Sequence, residues 1–271
     1  MTQHSLFFKK TMLLVMGVSL CIGLSAQVPG PQKKNNFWLD MNAGIGAVTC
    51  YDNGTIPFSY EGMATAFGAG FTDEWKRCHI SFDAQRYKSI LSKPDGTIFG
   101  FDGRLEFLYS CLKSSESRWH FWSGATLEAY GELKSIPELQ NASAAISTFS
   151  HLGVTEMISC DFGYNKERTH RWMTAFFKLY LPIASHVSRP DFMYVHDALG
   201  NSGIANLLAS NEKFLKFFPG ATTDLGLTLN LRNGNRITLS YLWYYLTTGK
   251  KGAYRFDNAY HLVNLTFMFK L

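Results

Sequence analysis

The chain has 271 residues, of which 46% are hydrophobic and 15% aromatic, yet its mean hydropathy is only -0.07. Apolar residues so evenly diluted by polar ones exclude a bundle of membrane-spanning helices, each of which needs about 20 consecutive apolar residues. The formal charge of +5 is too weak and too dispersed to imply a nucleic-acid partner.

Lys9 and Lys10 precede an apolar run from Met12 to Leu24, and the small residues Ser25 and Ala26 stand before Gln27. This pattern predicts a secretory signal over 1–26, cleaved after Ala26, because the run is too short to cross ~30 Å of hydrocarbon as a helix. Cys21 raises a lipoprotein signal as the alternative, but Leu20 occupies the position where such a signal has a small residue. Lys9 and Lys10 carry the only formal charges of this segment, so cleavage lowers the net charge to +3. Residues 27–36 read as a short polar lead-in, and 37–271 as one all-β domain.

The first strand opens at Phe37, with Phe37, Leu39, Met41, Ala43 and Ile45 alternating with Asp40, Asn42, Gly44 and Gly46. A second, from about Phe58 to Phe71, sets Met63, Thr65, Phe67, Ala69 and Phe71 against the small residues Ala64, Ala66, Gly68 and Gly70. A third sets Cys78, Ile80, Phe82 and Ala84 against His79, Ser81, Asp83 and Gln85. Pro94-Asp95-Gly96 then supplies turn chemistry. In the fourth, Phe99, Phe101, Leu105, Phe107 and Tyr109 oppose Asp102, Arg104 and Glu106, a charged face that a dry soluble core would not accept. The period of two recurs over Trp119–Glu132, Phe149–Tyr164 and Arg171–Ile183. Glu156 falls on the apolar face of its strand, which predicts a bulge there, unless the strand is locally misassigned. Leu225, Leu227, Leu229 and Leu231 then lead through Asn233-Gly234-Asn235 into Ile237, Leu239, Tyr241, Trp243 and Tyr245.

Short connections at 73–76, 114–117, 165–169 and 233–235 alternate with longer ones at 89–97, 133–147 and 185–216. Aromatics gather at the predicted strand ends: Trp38, Trp75, Trp119, Tyr164 and Trp172 at one, Tyr60, Tyr87, Phe217 and Tyr245 at the other. The last strand closes the pattern. Val263, Leu265, Phe267, Phe269 and Leu271 alternate with Asn264, Thr266, Met268 and Lys270 up to the carboxylate.

That ending resembles the barrel-closing strand of bacterial outer-membrane β-barrels, with Leu271 where phenylalanine is more usual. The resemblance implies an all-β transmembrane antiparallel up-and-down β-barrel of about ten strands. It also implies both termini in the periplasm, 185–216 as a long external loop, and outer-membrane lipid as the surroundings. A secreted β-sandwich alternates for the same reason, but strands of a dozen residues exceed its usual length.

The inward face would carry any chemistry. Pairing the third and fourth strands about Pro94-Asp95 places Asp83 opposite Glu106, with Asp102, Arg104 and Glu128 nearby, as a lumen charge network. The same pairing sets Cys78 opposite Cys111; a disulfide and two packed thiols are the alternatives. His79 and Ser81, with Asp83 following, resemble the His-x-Ser motif of lipid A deacylase barrels, with Phe82 where that family continues with asparagine. This makes His79, Ser81 and Asp83 the catalytic candidates. His186, Asp191, His196 and Asp197 resemble the external acid and histidine pairs of outer-membrane protease barrels. No metal-ligand spacing occurs, and no cofactor is implied.

Apolar residues in the 185–216 connection (Phe192–Val195, Ile204–Leu208) and after them (Phe214, Leu215, Phe217, Phe218) predict a plug, a cap or a docking surface for a protein partner, with a self-packed loop as the alternative. The expected function is a non-enzymatic barrel, either a structural or accessory subunit of an envelope complex or a narrow passive pore. The alternative is a barrel hydrolase acting on lipid or peptide.

Overall fold

The computed structural model describes residues 36–53, 56–75, 77–93, 95–111, 118–138, 144–162, 172–190, 211–250 and 253–271. The predicted signal, the lead-in up to 35, the girdle residue Tyr164 and the candidates Asp191, His196 and Asp197 lie outside these.

The strands are β1 Phe37–Asp52, β2 Ile56–Trp75, β3 Cys78–Lys93, β4 Asp95–Ser110, β5 Trp119–Ser135, β6 Ala144–Phe162, β7 Met173–Pro190, β8 Asn211–Phe217, β9 Gly220–Asn230, β10 Arg236–Lys250 and β11 Ala253–Lys270. All pairings are antiparallel, and β11 returns to β1 from Trp38↔Lys270 to Asp52↔Phe256, so the sheet closes on itself. β8 and β9 form one stave. β9 pairs with Met173–Tyr180 of β7, and β8 pairs with Ala184–Pro190 of the same strand. Between them Phe218 takes a φ of 49°, and Pro219 has no N–H to give to a ladder. The barrel therefore has ten staves, as its alternation predicts.

Burial follows the period of two. In β1 the residues from Trp38 to Asp52 of even number turn inward, while Leu39, Met41 and Ile45 are exposed on the outside. The outer faces of β9, β10 and β11 continue this band with Leu225, Leu227, Leu229, Leu239, Val263, Leu265, Phe267 and Phe269. The closing strand thus stands as predicted, its apolar set outward. Such a band facing water would be untenable, and it suits hydrocarbon.

Several expectations are corrected. The connections at 89–97 and 133–147 shrink, because β3 runs to Lys93, β4 starts at Asp95, β5 reaches Ser135 and β6 begins at Ala144. Ser185–Pro190 and Asn211–Lys216 are likewise strand rather than loop. Above the apolar band the outer face becomes polar (Arg86, Lys88, Thr148, Ser150), which erases the alternation while the ladder continues. The short-versus-long asymmetry is left resting on 191–210. Trp38, Tyr60 and Tyr87 are not girdle residues but point inward and are buried. Trp75, Trp119 and Trp172 do stand exposed at the rim where β1 begins and β11 ends.

Glu156 causes no bulge. The β5–β6 register runs unbroken through Ser123↔Glu156, and the irregularity lies at Leu152/Gly153 against Ala184 and Pro182. Glu156 stays on the outer face between Val154 and Ile158, where Ser123 Oγ donates to its Oε1 at 2.7 Å. A carboxylate in an apolar band is destabilising. Glu156→Gln keeps the acceptor and removes the charge, so it will raise unfolding stability in lipid vesicles by about 1 kcal/mol, read from the urea midpoint.

Candidate functional site

The interior is filled in three layers, built by inward side chains that alternate along every stave. At the terminal rim, Arg236 clasps Glu74 through two bonds of 2.8 and 3.1 Å and lies 3.9 Å over the Trp38 ring. Trp38 Nε1 donates to the Gly234 carbonyl at 2.9 Å, tying this layer to the turn where Gly234 takes a φ of 88°. Across the rim, His120 pairs with Asp161 at 3.1 Å, and Thr174 donates to the same carboxylate.

The middle layer is the predicted charge network, in a different register. Asp83 faces Arg104 and Ser81 faces Glu106, because the β3–β4 hairpin is centred one residue earlier than Pro94-Asp95. Arg104 bonds Glu128 at 2.5 Å and approaches Asp102 at 3.7 Å. Glu106 is held by Lys178 of β7 at 3.2 Å, with His79 at 4.0 Å. Arg104 thus serves two carboxylates, and the cation at Glu106 comes from β7, three strands away around the barrel. Asp40 and Asp224 also belong to this layer.

The layer farthest from the termini is a packed aromatic cluster. Tyr87, Tyr130, Phe149, Tyr244, Phe256 and Tyr260 contact one another at centroid separations of 5.0 to 6.2 Å. Val48, Ile98, Leu246 and Leu262 fill the gaps between these rings and the wall. Above the rings, Asp52 accepts from Lys134 Nζ at 2.9 Å and Arg189 Nη2 at 2.8 Å, and both cations lie over Phe256. Small inward residues on β2 do not leave the lumen open here; long side chains from the opposite wall occupy the space.

His79, Ser81 and Asp83 share one face, but the structure does not join them. His79 turns to Glu74 at 3.6 Å and to Glu106, and no bond links it to Ser81 among the described residues. A serine nucleophile needs that bond. His186 is exposed on the outer face. A serine–histidine contact that the sequence analysis missed joins Ser185 Oγ and His151 Nδ1 at 2.5 Å. Both residues are 1% exposed, beneath the stacked ring of Phe149, so no substrate reaches them. Cys50, Cys78, Cys111 and Cys160 are free thiols; Cys78 pairs in register with Tyr109, not Cys111. Among the described residues no group of three or more His, Cys, Asp or Glu side chains is gathered for a metal.

No family model and no curated protein matches the chain. Among solved structures it is similar to the outer membrane protease OmpT from Escherichia coli, at 7% identity, with 90% of this chain and 99% of that one covered and a TM-score of 0.54. The fold is that of the bacterial outer-membrane β-barrels. Neisserial surface protein A matches over 86% of this chain and 97% of its own at 11% identity and a TM-score of 0.39. The Pseudomonas putida toluene transporter TodX matches over 88% and 90% at 7% identity and a TM-score of 0.29. At 7% identity the likeness to OmpT shows the fold alone and assigns the chain no activity.

Proposed function

We propose that this chain is an exported outer-membrane barrel with a closed interior, acting without catalysis as a structural or accessory subunit of an envelope complex. The rim where β1 begins and β11 ends would face the periplasm, and lipid would contact the apolar band. The observation that carries the reading is the upper layer: an aromatic cluster capped by the Lys134–Asp52–Arg189 ion pairs, all within a few per cent of full burial. Ten staves make a narrow lumen, and the described side chains packed into it support a closed barrel. This favours the subunit over a passive pore.

The test is planar-bilayer conductance combined with isolation of the tagged protein from native membranes in mild detergent. A silent bilayer and a partner in fixed ratio are expected. Stepwise conductance from the unaltered chain would overturn the closed-barrel reading. Isolation of the chain alone would remove the subunit role, for which the 185–216 region is the first contact surface to examine. The hydrolase alternative is tested separately: Ser81→Ala and His79→Ala should leave lipid composition of the host membrane unchanged, and a changed acylation pattern would restore it.

A further inference from the structure

Asp40, Gly70 and Asp83 stand side by side on three neighbouring strands, Asp40↔Gly70 and Gly70↔Asp83, all on the inner face. The two carboxylates lean over the glycine. A Cβ built on Gly70 would lie 2.5 Å from Asp40 Oδ1 and 2.7 Å from Asp83 Oδ1, and against the Phe82 carbonyl oxygen. Any side chain at position 70 would fill the notch that these oxygens surround.

Neither aspartate has an ion-pair partner among the described residues. The nearby cations are committed elsewhere, Arg104 to Glu128 and Asp102, and Lys178 to Glu106. Asp40 is 3% exposed; Thr72 donates weakly to its Oδ2 at 3.4 Å, and its Oδ1 is buried without any partner, aimed at the notch. Two facing carboxylates in a site of low dielectric repel strongly, and a buried unpaired carboxylate oxygen is costly. A positive charge between them would relieve both costs.

We infer that the Asp40–Asp83 notch over Gly70 binds one hard divalent cation of the calcium class. The donors are oxygen only, two carboxylates with the Thr72 hydroxyl beside them, and two negative charges match a doubly charged ion. Nitrogen or sulfur ligands, which softer metals select, are absent from the notch. Water completes the coordination shell. The site ties β1 to β3 across β2, independently of whether the barrel conducts.

The experiment is titration of calcium into metal-stripped, full-length protein folded in detergent, by calorimetry and by thermal unfolding near neutral pH. One calcium per chain and a rise in Tm are expected. Asp40→Asn and Asp83→Asn should each weaken binding at least about tenfold and abolish the rise, whereas Asp257→Asn, an acid of the outer face paired with Arg255, should leave both intact. Absence of calcium heat in the unaltered chain overturns the site. Stabilisation by mild acid without any calcium response does the same, assigning the pair a shared proton instead. Asp40→Asn with undiminished affinity also overturns it. If a variant does not fold, the stoichiometry of the unaltered chain decides.

Discussion

Asp52→Asn will destabilise the barrel by about 3–5 kcal/mol, the usual result of removing one partner from a buried ion pair. Asp52 receives Lys134 at 2.9 Å and Arg189 at 2.8 Å, and Lys134 is 2% exposed. Asparagine has the same shape, so the loss is electrostatic rather than a cavity. The two cations over the Phe256 ring then lose the carboxylate that both contact. Cation–π contacts of about 0.5–2 kcal/mol do not replace a buried counter-ion. Adding Lys134→Met to Asp52→Asn should recover part of the loss, because the pair couples through direct contact. The measurement is urea unfolding in lipid vesicles. A loss under about 1 kcal/mol would mean that water reaches the pair and screens it as at a surface.

The architecture was legible because lipid and a filled lumen impose opposite chemistries on alternate residues. Leu225, Leu227 and Leu229, or Val263, Leu265 and Phe267, can be assigned a face by parity alone. The same rule misled at the rims. Trp38, Tyr60 and Tyr87 look like girdle residues by type and by place near a strand end, yet their even or odd position in the strand already put them inward with Asp40, Ala64 and Gln85. Here parity was the better guide than residue type. Strand ends were lost where the outer face turned polar, so Lys134 and Arg189 were read as loop and the ion pairs around Asp52 went unseen.

The middle layer shows a different limit. Asp83, Asp102, Arg104, Glu106 and Glu128 could be gathered from local pairing, since they lie on adjacent strands. Lys178 could not, because its contact with Glu106 crosses from β7 to β4 and depends on the closure of the whole sheet. A two-residue register shift also separates the expected Asp83–Glu106 pair from the observed Asp83–Arg104 one. Turn chemistry located the hairpin correctly and its centre one residue late, and a period of two hides such an error because every side chain keeps its face. Ser185 and His151 meet only because the irregularity at Leu152/Gly153 resets the inward parity of β7.

The second large effect concerns the lumen itself. Tyr130→Ala combined with Phe149→Ala will turn a silent barrel into one that conducts ions stepwise. Tyr130 stacks on Tyr87 at 5.6 Å and meets Phe149 at 5.5 Å and Tyr244 at 5.8 Å, while Phe149 stacks on Phe256 at 5.6 Å. These two rings therefore join the walls of β3, β5, β6, β10 and β11 into one cross-section. Truncating both removes the centre of that section and costs about 3–5 kcal/mol per ring, yet the backbone ladder of a closed barrel does not depend on them. The Tyr130 hydroxyl also donates to Glu132 at 2.7 Å, so its loss leaves Asn258 as the remaining donor, among the described residues, to that carboxylate beside the new opening. The resulting path should favour cations, since Glu132, Glu128 and Asp102 would line or approach it. Conductance with cation preference in the double variant, and none in the unaltered chain, places the occlusion at these rings. Silence in a folded double variant would place it instead at the charged middle layer, where Arg104, Lys178 and their carboxylates also span the lumen.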